Sequence, residues 1–484
     1  MSSGRRLLRE AVVFGAALGI SRGLLFLLLP IYARVFSTAD YGAFDFMMSL
    51  MRALFVPAVL GIDWSLSLML RDGDELGRRR AASSALAMQG LWGAAVVLTS
   101  VLMAPELAAA LLGNRGYTGL VLVTEAYLAV QIVNNFAIAI ARWRREPGTY
   151  FRLTVGYIAC GVAVSVGLVL IGHEGVTGAL AGLAIGGAAF IPVAAILVRH
   201  ALARRVAIPD MLRSFTLGLP FAALNATEFM FPFLLRLALV SVAGLPAVGI
   251  FGAANTICLG VILISDAFSA AWAPHTLSGE HADGDTRRVI RLYAFVLIVL
   301  TAALALVAGP LVSILLGGGA FREASEVVGA LALANWFKSV RQNAAMPLIA
   351  MGSTWARSGL NLVPMAVGVT LAYGLALHFG ILGAAWGFAA GEAAGLALQT
   401  IVLRRVFRQV LDSRALACMA ATYLALLALS RAAAPSSPGA SIIVALILAA
   451  AFVGTLVLLR AVRPGELRDM MTAVNGLAAS LVRR

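Results

Sequence analysis

The chain has 484 residues, 61% of them hydrophobic and only 12% charged, with a mean hydropathy of +0.93. A soluble domain is about 45–50% apolar and about 25% charged, so a soluble globular protein is excluded and a polytopic membrane protein is indicated. The net charge of +14 lies in short segments between apolar runs, which argues against nucleic acid as a partner, and Cys160, Cys258 and Cys418 are too isolated for a disulfide framework or a zinc site.

The apolar runs are about 20 residues or longer and do not alternate with period two, so they read as membrane-spanning helices rather than barrel strands. Fourteen are predicted. The first, 10–33, carries Arg22 near its middle and ends at Pro30 to Arg34; its length, its arginine and the lack of a small-residue cleavage site argue against a signal peptide. A Ser/Thr/Asp turn leads through Asp40-Tyr41-Gly42 into 42–69, which carries Arg52 and Asp63. Runs 82–104, 117–141 (with Glu125), 150–172 and 176–198 follow. The next are 214–242 (with Glu228 and Arg236), 246–272 (with Asp266), 289–316 and 325–351 (with Lys338 and Arg341). The last four are 357–378, 380–403 (with Glu392), 415–431 and 440–461. No connection is long enough for a soluble domain and there is no Walker motif, so no enzymatic activity, catalytic residue, cofactor or metal is expected.

Arginines set the expected orientation. With this span count the great majority fall on the side of the N-terminus, and the opposite side receives only Arg34, Arg115, Arg322 and Arg431. Both termini are therefore expected in the cytoplasm.

The chain also repeats itself. His173-x-Gly175-xx-Gly178-Ala179-xx-Gly182-x-Ala184-x-Gly186 recurs as His378-x-Gly380-xx-Gly383-Ala384-xx-Gly387-x-Ala389-x-Gly391, an offset of 205 residues that also places Pro105 over Pro310 and Arg152 over Arg357. Each repeat holds six spans, an even number, so the two halves share one orientation and are expected around an axis along the membrane normal, with a cavity between them. The expected organisation is an N-terminal lobe at 1–205 (spans 1–6), a C-terminal lobe at 206–408 (spans 7–12), and two extra helices with a cytoplasmic tail at 409–484. The glycines at i, i+4 spacing allow close helix packing. Pro57, Pro192, Pro220, Pro232, Pro347 and Pro364 are expected to bend their helices.

An ionisable group at the bilayer centre costs about 2.5–3.5 kcal/mol, so such a group faces a wet cavity or a partner. Arg22, about 18 Å into its helix at 1.5 Å per residue, and Arg52 lie too deep to reach either surface easily. With Arg236, Lys338 and Arg341 they form the candidate anion-binding set, Lys338 and Arg341 sharing a helix face at i, i+3. Asp63, on a face similar to that of Arg52, and Glu125, Glu228, Asp266 and Glu392 are candidates for ion coupling or for neutralising the arginines. A basic cavity implies an anionic cargo, and the planar fork of arginine suits phosphate.

Several stretches carry a family resemblance. Pro30-Ile-Tyr-Ala-Arg34 with Ser37-Thr-Ala-Asp40-Tyr41-Gly42-Ala-Phe44 resembles the first hairpin of Wzx-type polysaccharide flippases. Gly218-Leu-Pro220 through Gly249-Ile-Phe251-Gly-Ala-Ala-Asn255 resembles the start of their second half, and Arg142-x-Arg144-Arg145-x-Pro147 and the glycine-rich junctions fit the same family. The family belongs to the multidrug/oligosaccharidyl-lipid/polysaccharide (MOP) exporter superfamily. The resemblance implies an all-α, V-shaped, two-lobed transporter working by alternating access in the bacterial inner membrane. Its cargo would be an undecaprenyl-pyrophosphate-linked oligosaccharide for O-antigen, capsule or exopolysaccharide. Membrane lipid, a polysaccharide polymerase and other assembly proteins would be its partners. Two alternatives stand beside it: a peptidoglycan lipid-precursor flippase and a proton- or sodium-coupled multidrug exporter. Ser21-Arg22 resembles a basic site of the former, but Leu24 to Leu29 lack its second arginine. The latter often uses an acid in the first helix, where this chain has Arg22.

Overall fold

The computed structural model describes residues 3–70, 74–277, 283–317, 319–346, 354–407, 411–433 and 438–459, with 461 and 465. Pro347 and the last arginines of the tail lie outside them. The α-helices are α1 (Ser3–Phe26), α2 (Leu28–Val35), α3 (Thr38–Val59), α4 (Ile62–Met69), α5 (Glu75–Leu102), α6 (Ala104–Leu112), α7 (Thr118–Trp143), α8 (Pro147–Leu170) and α9 (Gly175–Val198). The chain continues through α10 (Ile208–Ile257), α11 (Leu259–Leu277), α12 (Asp283–Leu306), α13 (Ala308–Leu316), α14 (Ala324–Ala344), α15 (Thr354–Phe407), α16 (Ser413–Ala432) and α17 (Pro438–Leu458). Among the described residues there is no strand, and every apolar run read from the sequence falls on helix. Among the described residues ten helical segments are long and apolar enough to cross a membrane. Two of these are each divided by a glycine in a non-helical conformation, Gly244 in α10 (φ 77°) and Gly380 in α15 (φ 56°). A multi-pass membrane protein follows.

The elements begin and break for local reasons. Ser37 caps α3 by a capping box: its hydroxyl accepts from Asp40 N at 3.1 Å, and Asp40 Oδ2 accepts from Ser37 N at 3.3 Å. Leu27 separates α1 from α2 three residues before Pro30, whose ring clashes with the carbonyl four residues upstream. Pro57, Pro192, Pro220, Pro232 and Pro364 lie inside helices that continue through them.

The duplication is visible in the backbone. Both halves break a long helix before a short one, at Met103 ahead of α6 and at Val307 ahead of α13. Both short helices end on a left-handed glycine, Gly113 (φ 69°) and Gly317 (φ 74°). Gly175 and Gly380, one repeat apart, both have φ 56°. The glycine stripes do the same job in each half. A Cβ at Gly182 or Gly186 would collide with the α8 backbone at Ser165 and Cys160. One at Gly387 or Gly391 would collide with Ala372 and Gly368 in the first half of α15. Gly387→Leu is therefore expected to force these helices apart and destabilise the protein by about 1–3 kcal/mol, read as a lower melting temperature in detergent.

Helices α1–α9 pack mainly on one another, α10–α15 likewise, and α16 and α17 pack on α12; these two groups are called the first and second lobe below. The lobes meet mainly where α3 lies along α10. The end of the bundle holding Ser37 and Asn114 is called the Ser37 end below, and the opposite one, holding Glu146, the Glu146 end.

Candidate functional site at the seam between the lobes

The seam between α3 and α10 is closed at both ends because the backbones touch through glycine. At the Ser37 end Gly42 lies against Leu245 O and Gly249, so closely that no Cβ fits at either glycine. At the Glu146 end Gly61, in the left-handed conformation (φ 66°), lies against Gly218 O. Side chains reinforce both closures. Tyr41 meets Phe321 edge-on with centroids 5.7 Å apart, and Arg34 Nη2 donates to Ile314 O at 3.1 Å. At the other end Trp64 stacks on Phe221 (5.6 Å), and Arg80 Nε donates to Asp210 Oδ2 at 3.0 Å.

Three arginines line the seam between these closures. Arg236 on α10 holds Asp45 on α3 in a bidentate pair, Nε to Oδ2 at 2.6 Å and Nη2 to Oδ1 at 3.1 Å, with its guanidinium 5.8 Å from the Phe251 ring centroid. Gly252 makes room for this pair, since a Cβ there would strike the Asp45 carboxylate. Arg22 on α1 pairs with Asp266 on α11. The two pairs are reciprocal: each lobe contributes one arginine and one aspartate. Arg52 lies between them, within electrostatic reach of Arg22, Arg236, Asp45 and Tyr127. Among the described residues it has no ion pair, and its side chain is exposed although it sits midway along a mostly buried helix.

The other basic candidates lie elsewhere, inside the second lobe. Arg341 on α14 is buried, its Nε donating to Glu392 Oε2 at 2.8 Å; it also bonds Asn361, and its carbonyl accepts from Gln399 at 2.9 Å. Glu228 accepts from Gln342 Nε2 at 3.1 Å and lies within electrostatic reach of Arg357. Lys338 is half-buried on α14 beside this network. Thus Arg22, Arg52 and Arg236 are brought together with Asp266, whereas Lys338, Arg341, Glu228 and Glu392 form a separate polar centre.

Asp63 is apart from Arg52. The break at Leu60–Gly61 re-aims α4, and Asp63 instead accepts from Asn135 at 3.3 Å and faces Arg142 at 3.9 Å. Arg142 lies within cation–π distance of the rings of both Trp64 (5.0 Å) and Trp143 (4.8 Å), which meet each other edge-on. Glu125 is buried on α7, with no ion pair to a seam arginine among the described residues. Sequence reasoning did not single out Asp45, Asn361, Gln342 or Gln399. Asp45 stands three residues inside an apolar run, which is the one signal that could have marked it.

A sequence profile for a family described as polysaccharide biosynthesis protein matches residues 7–276, more than half of the chain. The chain belongs to this polysaccharide biosynthesis protein family. Solved structures share its architecture. The lipid II flippase MurJ in an inward closed conformation matches with a TM-score of 0.70 at 15% identity, covering 91% of this chain and 98% of its own. An inward-facing multidrug resistance MATE family transporter of the MOP superfamily matches at 0.60 and 17% identity, covering 82% and 99%. The MATE multidrug transporter DinF-BH matches at 0.64 and 15% identity, covering 84% and 96%. At these identities the likeness is one of fold, and the fold is that of two-lobed transporters rather than of enzymes. Family and fold together support the resemblance to Wzx-type flippases. No curated protein matches the sequence.

Proposed function

We propose that this polysaccharide biosynthesis protein is a flippase that moves an undecaprenyl-pyrophosphate-linked oligosaccharide from the inner to the outer leaflet of the bacterial cytoplasmic membrane by alternating access. The observation that supports this reading is Arg52, an exposed arginine that among the described residues has no carboxylate partner, set between two arginines that are each held by an aspartate of the opposite lobe. A diphosphate offers several oxygens to a guanidinium fork, and charge-assisted bonds of this kind are about twice as strong as neutral ones.

In this reading both termini are cytoplasmic, so the Glu146 end faces the cytoplasm. The moving bodies are residues 1–205 and 206–408, with 409–484 riding on the second. Opening at the Glu146 end separates Gly61 from Gly218 and admits the headgroup, which competes with Asp266 for Arg22 and meets Arg52. Closure of that end and release of Asp45 from Arg236 opens the outer end. Glu228, Glu392, Asp63, Asp266 and Glu125 are the carboxylates available for ion coupling. A polymerase and other assembly proteins would receive the product.

The test is a clean deletion. The lipid-linked repeat unit should accumulate on the inner leaflet and surface polymer should fall, with restoration by the wild-type gene. Undiminished surface polymer in a strain without a paralogue would refute the assignment, and arrested peptidoglycan-precursor flipping instead would transfer it to that cargo.

A further inference from the structure

Glu125 is fully buried, with 0% of its surface exposed, and among the described residues neither carboxyl oxygen has a hydrogen-bond partner. Thr124 beside it and Val121 and Leu128 one turn away are also 0% exposed. Val121 and Leu128 belong to the apolar cluster that α7 shares with α3 and α9. Buried polar groups are nearly always paired, so an unpaired one calls for an explanation.

The helices packed on α7 supply no counter-charge. On α9 there is no titratable side chain, only a glycine- and alanine-rich face. On α3, Asp40 is spent on the cap, Asp45 on Arg236, and Tyr41 and Arg52 turn toward the seam. On α4, Asp63 faces Arg142, and on α8 Tyr157 bonds Gln131 and Tyr127 while Arg152 donates to Gly148 O. The charges of α5 and α6 lie at helix ends, where Glu75 holds Arg144, Arg80 holds Asp210, Arg79 reaches Leu202 O and Glu106 holds Arg115 of the adjoining loop. An isolated ionised carboxylate in such a site is far costlier than the neutral acid.

We propose that Glu125 is a proton-binding site of the first lobe, holding one proton while the seam is closed and giving it up to water when the lobes part at the Ser37 end. The place in the fold explains the coupling. The carboxyl is only about two turns, roughly 11 Å at 1.5 Å per residue, from the start of α7 at the Ser37 end. Helix α3 packs on both α7 and α10, so the helix that closes the seam also packs on the helix that carries Glu125. As α3 leaves α10 it also shifts against α7 within the first lobe and wets the carboxyl, and ionisation then opposes reclosure until a proton returns. The reaction is one O–H bond broken and one re-formed per cycle, with water as the carrier. The lobe movement rests on the transport reading; the protonation of the resting carboxyl does not, and the two are measured separately.

Difference infrared spectroscopy on the full chain in lipid, wild type minus Glu125→Gln, should show the carbonyl stretch of a protonated carboxylic acid at neutral pH in the wild type. A spectrum in which that band is unchanged by the substitution overturns the site, whatever the cargo. Spin labels at Ala110→Cys and Glu323→Cys, both exposed near the Ser37 end, in a background with Cys160, Cys258 and Cys418 replaced by serine, then report the lobe separation. Raising the pH should shift the wild type toward longer distances and leave Glu125→Gln at the closed distance. The same pH response in both proteins overturns the coupling.

Discussion

Arg52→Ala should give a protein that reaches the membrane and unfolds like the wild type yet fails to translocate its lipid-linked cargo. Arg52 spends nothing on the fold: among the described residues it has no ion pair, and its side chain is exposed. Removing it costs the headgroup its charge-assisted bonds, about 1.5–3 kcal/mol, or roughly 10- to 150-fold in binding. Arg52→Lys keeps the charge and loses the planar fork, so it should recover part of the loss. The measurement is translocation of a fluorescent lipid-linked oligosaccharide in liposomes, beside thermal unfolding of the same preparations. Wild-type translocation by the alanine variant would remove Arg52 from the site.

The second large effect is expected at Asp45 and Arg236, which are mostly buried with 15% and 8% of their side chains exposed. Arg236→Met alone leaves the Asp45 carboxylate unpaired in the seam, and Asp45→Leu alone leaves the guanidinium. Each should cost about 3–5 kcal/mol. The double variant removes both charges and should regain most of that stability, since well-packed apolar replacements of an ion pair are often neutral or stabilising. It should nevertheless transport slowly, because no anion can compete for a methionine. Melting temperatures of the four proteins form a double-mutant cycle; simple additivity of the single losses would mean that the two residues act independently.

The difference between these two arginines was not legible in the sequence, and the reason is geometric. Hydropathy marks a span because every residue of the span contributes, so the helices could be read at once, and the duplicated glycines could be read because they recur as the same letters at a fixed offset. Pairing depends on one residue and its azimuth. Asp45 lies so near the start of its run that it reads as a helix-end charge, yet Gly252 lets it sink against α10 and meet Arg236. Asp63 lies on a face similar to that of Arg52 only if the helix is continuous, and the left-handed pair Leu60 and Gly61 ends that continuity. Arg341 looks like one half of an i, i+3 clamp with Lys338, but it is held by Glu392 together with the neutral Asn361 and Gln399, and a count of charges passes over the last two.

The reciprocal pairing at the seam has an electrical consequence. Arg22 with Asp266 and Arg236 with Asp45 each sum to zero, so of the three seam arginines only Arg52 gives the unloaded seam a net charge. Moving one charge across the whole membrane potential is worth about 2.3 kcal/mol per 100 mV. An inside-negative potential therefore draws the unloaded, positive seam toward the inner leaflet. A diphosphate carries more than one negative charge, so the loaded seam is negative and the same potential drives it outward. With a single uncompensated arginine between two neutral pairs, the resting voltage of the cell favours both halves of the cycle.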